Sequence, residues 1–363
     1  MKQAVELLCV GNAIVDVFAN APPGFLEHWG LSPGARHLDH ARLNAMLEAL
    51  GMAGSALWSG ADGKGAVVSG GGGANVAKIA ALLGISSLFA GAVGRDAAGQ
   101  FFEQELREAG AGALLVQGKA PTGLCLILQR PGAGPCIAAS TGAALEFDEA
   151  AIPEDRIQEA RVLLIDGYML DREALTRRIM EMAVQHGTVI ALDVGSAAMA
   201  AARAAEIRRF CDDYPLILFM NEAEAEAFYE AQGAAAMDEE PETPVWGGWT
   251  HTARFQTFYQ KFTGKDIYPI IAVKQGHRGA TVFAGGTMYR AGTLALYAGA
   301  ESTGAGDAFC AAFLAAWIRG TSLADCAALG NRAAREILNV PGTMIGRKKL
   351  APIAKILAAH DGR

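Results

Sequence analysis

The sequence predicts an α/β fold: a doubly wound, mostly parallel sheet flanked by helices, with a small β lid. Three observations predict it. Apolar runs of strand length alternate with helical stretches along most of the chain, joined by glycine-containing turns, the order that covers a parallel sheet on both faces. Hydrophobic residues fill 52% of the 363 positions and charged ones 19%, enough apolar surface for a large buried core. The stretch 122–140 breaks the rhythm with two β-type runs about Pro131-Gly132-Ala133-Gly134, a hairpin signal inside an otherwise βα chain.

Taken in order, residues 5–10 open as a buried strand that stops at Gly11. Glu6, Asn12 and Asp16 interrupt the apolar run, so this end reads as a strand and not as a signal peptide. Residues 74–83 form a small-residue helix entered through Ser69-Gly70-Gly71-Gly72-Gly73. Strand 87–93 and the amphipathic helix 97–109 follow, then strand 161–165, helix 171–186, strands 188–193 and 215–219, and helix 222–231. Strand 269–273 leads into a turn at Gly276 and Gly279 and a further strand at 280–284; helices 305–318, 322–338 and 347–359 complete the chain. Segments 13–19 and 34–38 join the 122–140 hairpin in the accessory sheet. Residues 232–252, acidic and then rich in Trp and Gly, read as a surface insertion. The whole, 1–363, is expected to be one domain.

Charge and cysteine usage exclude several classes. The net charge is −7 and no basic stripe occurs, so a nucleic-acid partner is not expected. The six cysteines are scattered without a paired spacing, and the seven histidines show no metal spacing. No apolar run reaches membrane-spanning length, so no membrane partner is expected and the cytoplasm is the expected setting.

Two segments carry chemistry. Glu301-Ser302-Thr303-Gly304-Ala305-Gly306-Asp307 runs straight into the apolar helix AFCAAFLAAWI. Small residues at 304–306 allow a tight turn whose amides point one way at a helix N-terminus, a place that attracts an anion. An acid there repels phosphate as a ligand but suits a base for a nucleophile approaching phosphate. The alternative for Asp307 is a plain helix cap. The second segment, Gly70-Gly71-Gly72-Gly73-Ala74-Asn75, costs backbone entropy that close approach of a ligand would justify, and an ordinary loop is the competing reading. It matches neither a P-loop nor a dinucleotide fingerprint.

Together these segments resemble the PfkB (ribokinase-like) family of carbohydrate and nucleoside kinases. The resemblance extends over nearly the whole chain: Gly11-Asn12-Ala13-Ile14-Val15-Asp16, the glycine run with Asn75, Gly94-Arg95-Asp96, Asn221-Glu222-Ala223-Glu224, and Gly276-His277-Arg278-Gly279. It implies a kinase in which Asp307 takes the proton from a substrate hydroxyl while the amides of Gly304, Ala305 and Gly306 form the anion hole. It implies that Asn12, Asp16, Gly72, Gly73 and Asn75 bind the acceptor. Lys274, Gly276 and Gly279 would lie near ATP, and Asn221 with Glu224 would place Mg²⁺ through water.

Read from the residues alone, the Asn221–Glu224 pair is a capping box, Asp16 can serve turn amides, and Lys274 can be a solvated lysine. Glu301 stands where the family usually has Asp beside a monovalent-cation site, which leaves K⁺ dependence open. Gly73 stands where ribokinases often carry Lys. Asn12 and Asp16 match adenosine-kinase-like members better, so the expected acceptor is a nucleoside such as adenosine, with a furanose or ketose sugar as the alternative. A catalytically silent nucleoside- or sugar-binding regulator and a scaffold using the Trp-rich insertion remain as other classes. The protein is expected to be a monomer or a homodimer.

Overall fold

The computed structural model describes residues 5–52, 57, 65–130, 133–232, 269–292, 304–338, 340 and 345–360. The expected cation position at Glu301, the turn at 131–132 and all of the 232–252 segment except Gln232 lie outside these residues.

Among the described residues fourteen strands build two sheets: β1 (Leu7–Val10), β2 (Ile14–Asn20), β3 (Gly34–His37), β4 (Gly65–Gly70), β5 (Ser87–Val93), β6 (Gly112–Gln117), β7 (Gly123–Arg130), β8 (Ala133–Ser140), β9 (Val162–Asp166), β10 (Val189–Asp193), β11 (Leu216–Asn221), β12 (Ile270–Lys274), β13 (Ala280–Ala284) and β14 (Thr287–Ala291). The larger sheet has the order β14-β13-β12-β11-β10-β9-β1-β5-β6. It is parallel from β6 to β12, and β13 and β14 add an antiparallel edge.

Strand β1 shows why its sequence is apolar throughout. Leu7 and Cys9 enter one hydrophobic cluster and Leu8 and Val10 another, and all four are fully buried. A parallel strand covered on both faces has no polar side to offer water. Helices Gly72–Leu82, Ala305–Ile318 and Leu323–Ile337 pack on the first face; helices Glu173–Gln185, Ala204–Asp213 and Glu222–Ala231 pack on the second. Helices 305–318 and 323–337 approach closely at Gly330, where a Cβ would stand 2.7 Å from the Phe309 ring. Local sequence starts several helices, with the side chains of Asp96 and Ser322 accepting from the amides of Gly99 and Asp325.

The second sheet has the order β3-β8-β7-β2-β4. Helix His40–Ala49 covers one of its faces through Leu43, Met46 and Leu47. Strands β2, β3, β7 and β8 coincide with the segments from which the sequence reading builds an accessory sheet. Strand β4 does not, because that reading treats 69–73 only as a helix entry. Residues 65–70 pair antiparallel with β2, from Ala19 opposite Gly65 to Ile14 opposite Gly70. With glycine at both ends and no alternation, β4 has little strand signal of its own, and pairing with a distant segment makes it. Strands β6 and β14 are likewise additional to the sequence reading.

Candidate active site

The chain passes between the sheets at Gly11–Ala13, leaving β1 for β2, and returns from β4 into helix 72–82. A cleft of about 490 Å³ lies at this junction, lined by residues that include Asn12, Asp16, Gly72, Gly73, Asn75, Asp166, Asp193 and Asp307. The main sheet contributes the carboxyl ends of β9 and β10, the usual position for a ligand in an open α/β sheet.

Asp307 stands in the first turn of helix 305–318, after Gly304 in left-handed conformation (φ 79°). The Asn75 amide donates to its Oδ2 at 2.8 Å, tying the starts of two helices together. Burial pushes the Asp307 carboxyl up to about 7, with the nearby Asp193 charge acting the same way; Asn75 and Lys274 pull it down. Lys274, at the end of β12, pairs with Asp193 Oδ1 at 2.8 Å, and the Cys310 thiol donates to Asp193 Oδ2 at 3.3 Å. Burial opposes the Lys274 charge, but Asp193, Cys310 and Glu224 together outweigh it and the lysine holds its proton more firmly than usual. A Cβ on Gly306 would stand 3.2 Å from Lys274 Nζ, so the ammonium lies against the turn of small residues.

Asp16 lies on β2 with its carboxyl against the backbone of β4; a Cβ at Gly70 would sit 2.1 Å from its Oδ2. Burial raises the Asp16 carboxyl to about 7, against the pull of Lys78. Lys78 is buried beneath it and donates to the Ser69 carbonyl and hydroxyl. Asp166 ends β9 and accepts from the amides of Tyr168 (3.1 Å) and Gly73 (3.5 Å); burial pushes it up to about 6.

The glycine run serves packing. Gly71 (φ 87°) faces the Asn12 carbonyl, which a Cβ would meet at 2.2 Å, and Gly73 packs on the Val10 carbonyl and Phe89. Gly72 has the carboxylates of Asp166 and Asp307 as its neighbours, 3.4 and 3.5 Å from where a Cβ would lie.

Asn221 and Glu224 form a complete capping box at the start of helix 222–231. The Glu224 carboxylate accepts from the Asn221 amide (2.8 Å) and side chain (2.7 Å), and Asn221 Oδ1 accepts from the Glu224 amide (2.9 Å). Burial raises Glu224, with Lys274 opposing. Asn221 is also the register partner of Lys274 across β11 and β12, which places the capping box beside the Lys274–Asp193 pair. Gly276 and Gly279 lie one turn further out. Gly279 (φ 97°) is required by packing, since a Cβ would stand 2.0 Å from the Ala291 carbonyl. Arg278 pairs with Glu222 and ties this turn to the capping box.

Sequence reasoning passes over Asp166, Asp193, Lys78 and Arg172. Each carboxylate ends an apolar strand, a pattern that was present in the sequence and equally fits a solvated strand end.

The pfkB family carbohydrate kinase model matches residues 61–350. The chain belongs to the pfkB family. As a pfkB kinase it is a phosphotransferase with a hydroxyl group as acceptor. The fold agrees with solved structures. An adenosine kinase from Sinorhizobium meliloti is 24% identical with a TM-score of 0.78, covering 97% of this chain and 100% of its own. A probable sugar kinase from Rhizobium etli CFN 42 is 23% identical with a TM-score of 0.79, covering 97% and 99%. The adenosine kinase from Schistosoma mansoni in complex with 2-fluoroadenosine is 17% identical with a TM-score of 0.75, covering 94% and 98%. No curated protein matches the chain. Among the described residues no helix is long and apolar enough to cross a membrane.

Proposed function

We propose that this pfkB kinase transfers the γ-phosphoryl group of MgATP to a hydroxyl of an adenosine-like nucleoside, with Asp307 as the base. One observation carries the proposal. A half-buried carboxylate, its pKa pushed up to about 7, opens the helix that follows Gly304 and faces the cleft. A base that ionises near neutrality can take the hydroxyl proton as attack proceeds. The amides at 304–306 and the helix N-terminus would stabilise charge on the transferring group, and Lys274 would add its charge beside Gly306.

MgATP enters as substrate. Both Glu224 oxygens already accept from Asn221. The pair therefore suits contact with a nucleotide-borne ion through water, and not direct ligation. Gly276 and Gly279 shape the turn on the nucleotide side.

The acceptor end combines two kinds of surface. Asn12, Asp16 and Asn75 supply polar groups near Asp307, and Ile14, Ile127, Ile137 and Ala139 form an apolar floor on the second sheet. A ribose suits the first and a flat base the second. The gathering of Asp16, Asp166 and Asp307 favours a second reading, a free furanose, which would fill the polar end alone. The two sheets are proposed to act as one kinase domain with the smaller as a lid that excludes water. The free cysteines suit a reducing, cytoplasmic setting.

The test is MgATP consumption against a panel of nucleosides and sugars, in K⁺ and in Na⁺ to read the contribution of Glu301. Adenosine-dependent turnover is expected, with Asp307→Asn lowering it by about 10²–10⁴-fold while nucleotide still binds. Turnover with a sugar alone would overturn the nucleoside assignment, and an undiminished Asp307→Asn rate would overturn the base.

A further inference from the structure

Behind the cleft, at the junction of the two sheets, lies an arginine to which the sequence reading gives no role. Arg172 follows β9; its Nη1 donates to the carbonyls of Ala144 (3.0 Å) and Phe147 (3.1 Å), and its Nη2 donates to Asn12 Oδ1 at 3.0 Å. Burial lowers its pKa while Asp166 and Asp171 oppose the loss, so it stays a cation. A guanidinium has donors and no acceptor, so the Asn12 atom that faces it must be the carbonyl oxygen. The Asn12 NH₂ is thereby turned away from Arg172. Asn12 lines the cleft, and among the described residues no protein group accepts from that NH₂. The backbone of Asn12 is held as well, with Gly71 packed on its carbonyl.

We propose that Arg172 is a positioning residue for the acceptor: it locks Asn12 with its amide donors towards the cleft. Asn12 then reads a lone pair on the acceptor, while Asp16, an acceptor group when ionised, reads a hydroxyl hydrogen at the same polar end. The proposal rests on the reading above that Asn12 and Asp16 line the acceptor end. A purely structural Arg172 would only tie residues 144–147 to the end of β9, and would leave the side-chain direction of Asn12 to chance.

The test uses the full-length protein and whichever of adenosine, inosine, ribose and fructose gives the highest kcat/KM. Arg172→Met is expected to raise the acceptor KM by about tenfold, the loss of one oriented hydrogen bond, with the MgATP KM changed by less than about twofold. Asn12→Ala should raise the acceptor KM by a similar factor, and the double variant by no more than either alone. An unchanged acceptor KM in Arg172→Met, or multiplying effects in the double variant, overturns the proposal. If Arg172→Met does not fold, Arg172→Lys keeps one donor without the fork, and a rise of about threefold or more is required of it. A crystal structure of the folded Arg172 variant gives a readout that needs no turnover. A rotated Asn12 side chain supports the proposal, and an unmoved one overturns it. If none of the four acceptors is phosphorylated, the nucleoside and sugar assignments fail, and the Asn12 orientation in that structure still decides the role of Arg172.

Discussion

At the scale of single residues, half-buried charges are matched one against another around Asp307. Asp193 raises the proton affinity of Asp307, and Lys274 lowers it. The Lys274–Asp193 pair offsets much of its own field, which leaves burial as the larger cause of a carboxyl near 7. As the proposed base, Asp307 must be unprotonated to work, so kcat/KM should fall on the acid side of about pH 7, roughly tenfold per unit. Asp193→Asn removes a negative neighbour and leaves the Lys274 charge less compensated, and both changes favour ionised Asp307. The acid limb should therefore move to lower pH in that variant. A pH–rate profile of both proteins decides it, and a limb that stays in place would mean that Asp193 does not tune the base. Cys310, one helical turn after Asp307, holds the second Asp193 oxygen and completes this set of contacts.

At the scale of elements, two helix starts meet over one cleft, each entered through a glycine with positive φ. Gly71 and Gly84 give a controlled comparison on either end of the same helix. Both have positive φ, 87° and 91°, but a Cβ at Gly71 would strike the Asn12 carbonyl whereas at Gly84 it meets nothing within 4 Å. Gly84→Ala should cost about 1 kcal/mol, the backbone penalty alone. Gly71→Ala should cost more, by about 1–3 kcal/mol, and should also raise the acceptor KM as Asn12 is displaced. Urea unfolding and acceptor kinetics of the two variants check this; equal losses of stability would show that the close approach of Gly71 to Asn12 is not tight. The capping box at Asn221 shows the opposite economy, one pair of side chains that starts a helix and stands next to Lys274.

At the scale of the whole molecule, the cleft is framed by two sheets joined through Gly11–Ala13 and Gly71. The larger sheet is covered on both faces and rigid by packing, while the smaller presents Ile14, Ile127 and Ile137 to the cleft. Occupying that floor should order the smaller sheet more than the larger. Hydrogen exchange with adenosine and a non-hydrolysable MgATP analogue should slow in β2, β7 and β8 and stay unchanged in β9 to β11. Equal protection in both sheets would speak against a lid.

The sequence by itself determined what depends on near neighbours. Apolar runs such as 162–166 and 216–221 declare strands, and Asn221 with Glu224 declares a helix start, because backbone and capping preferences act within a few residues. The Gly304–Asp307 string and the glycine run at 70–73 stood out by their composition, and their resemblance to the pfkB pattern joined them in one expected site. What only the tertiary structure decided was which strand ends meet. Asp166 and Asp193 read like any acid closing an apolar strand until the order β12-β11-β10-β9-β1 sets them around Asp307. Strand β4 exists through pairing with β2, and Arg172 gains its role through Asn12, 160 positions away. Pairing and burial are long-range in sequence, and a side chain's charge and direction follow from the neighbours they bring.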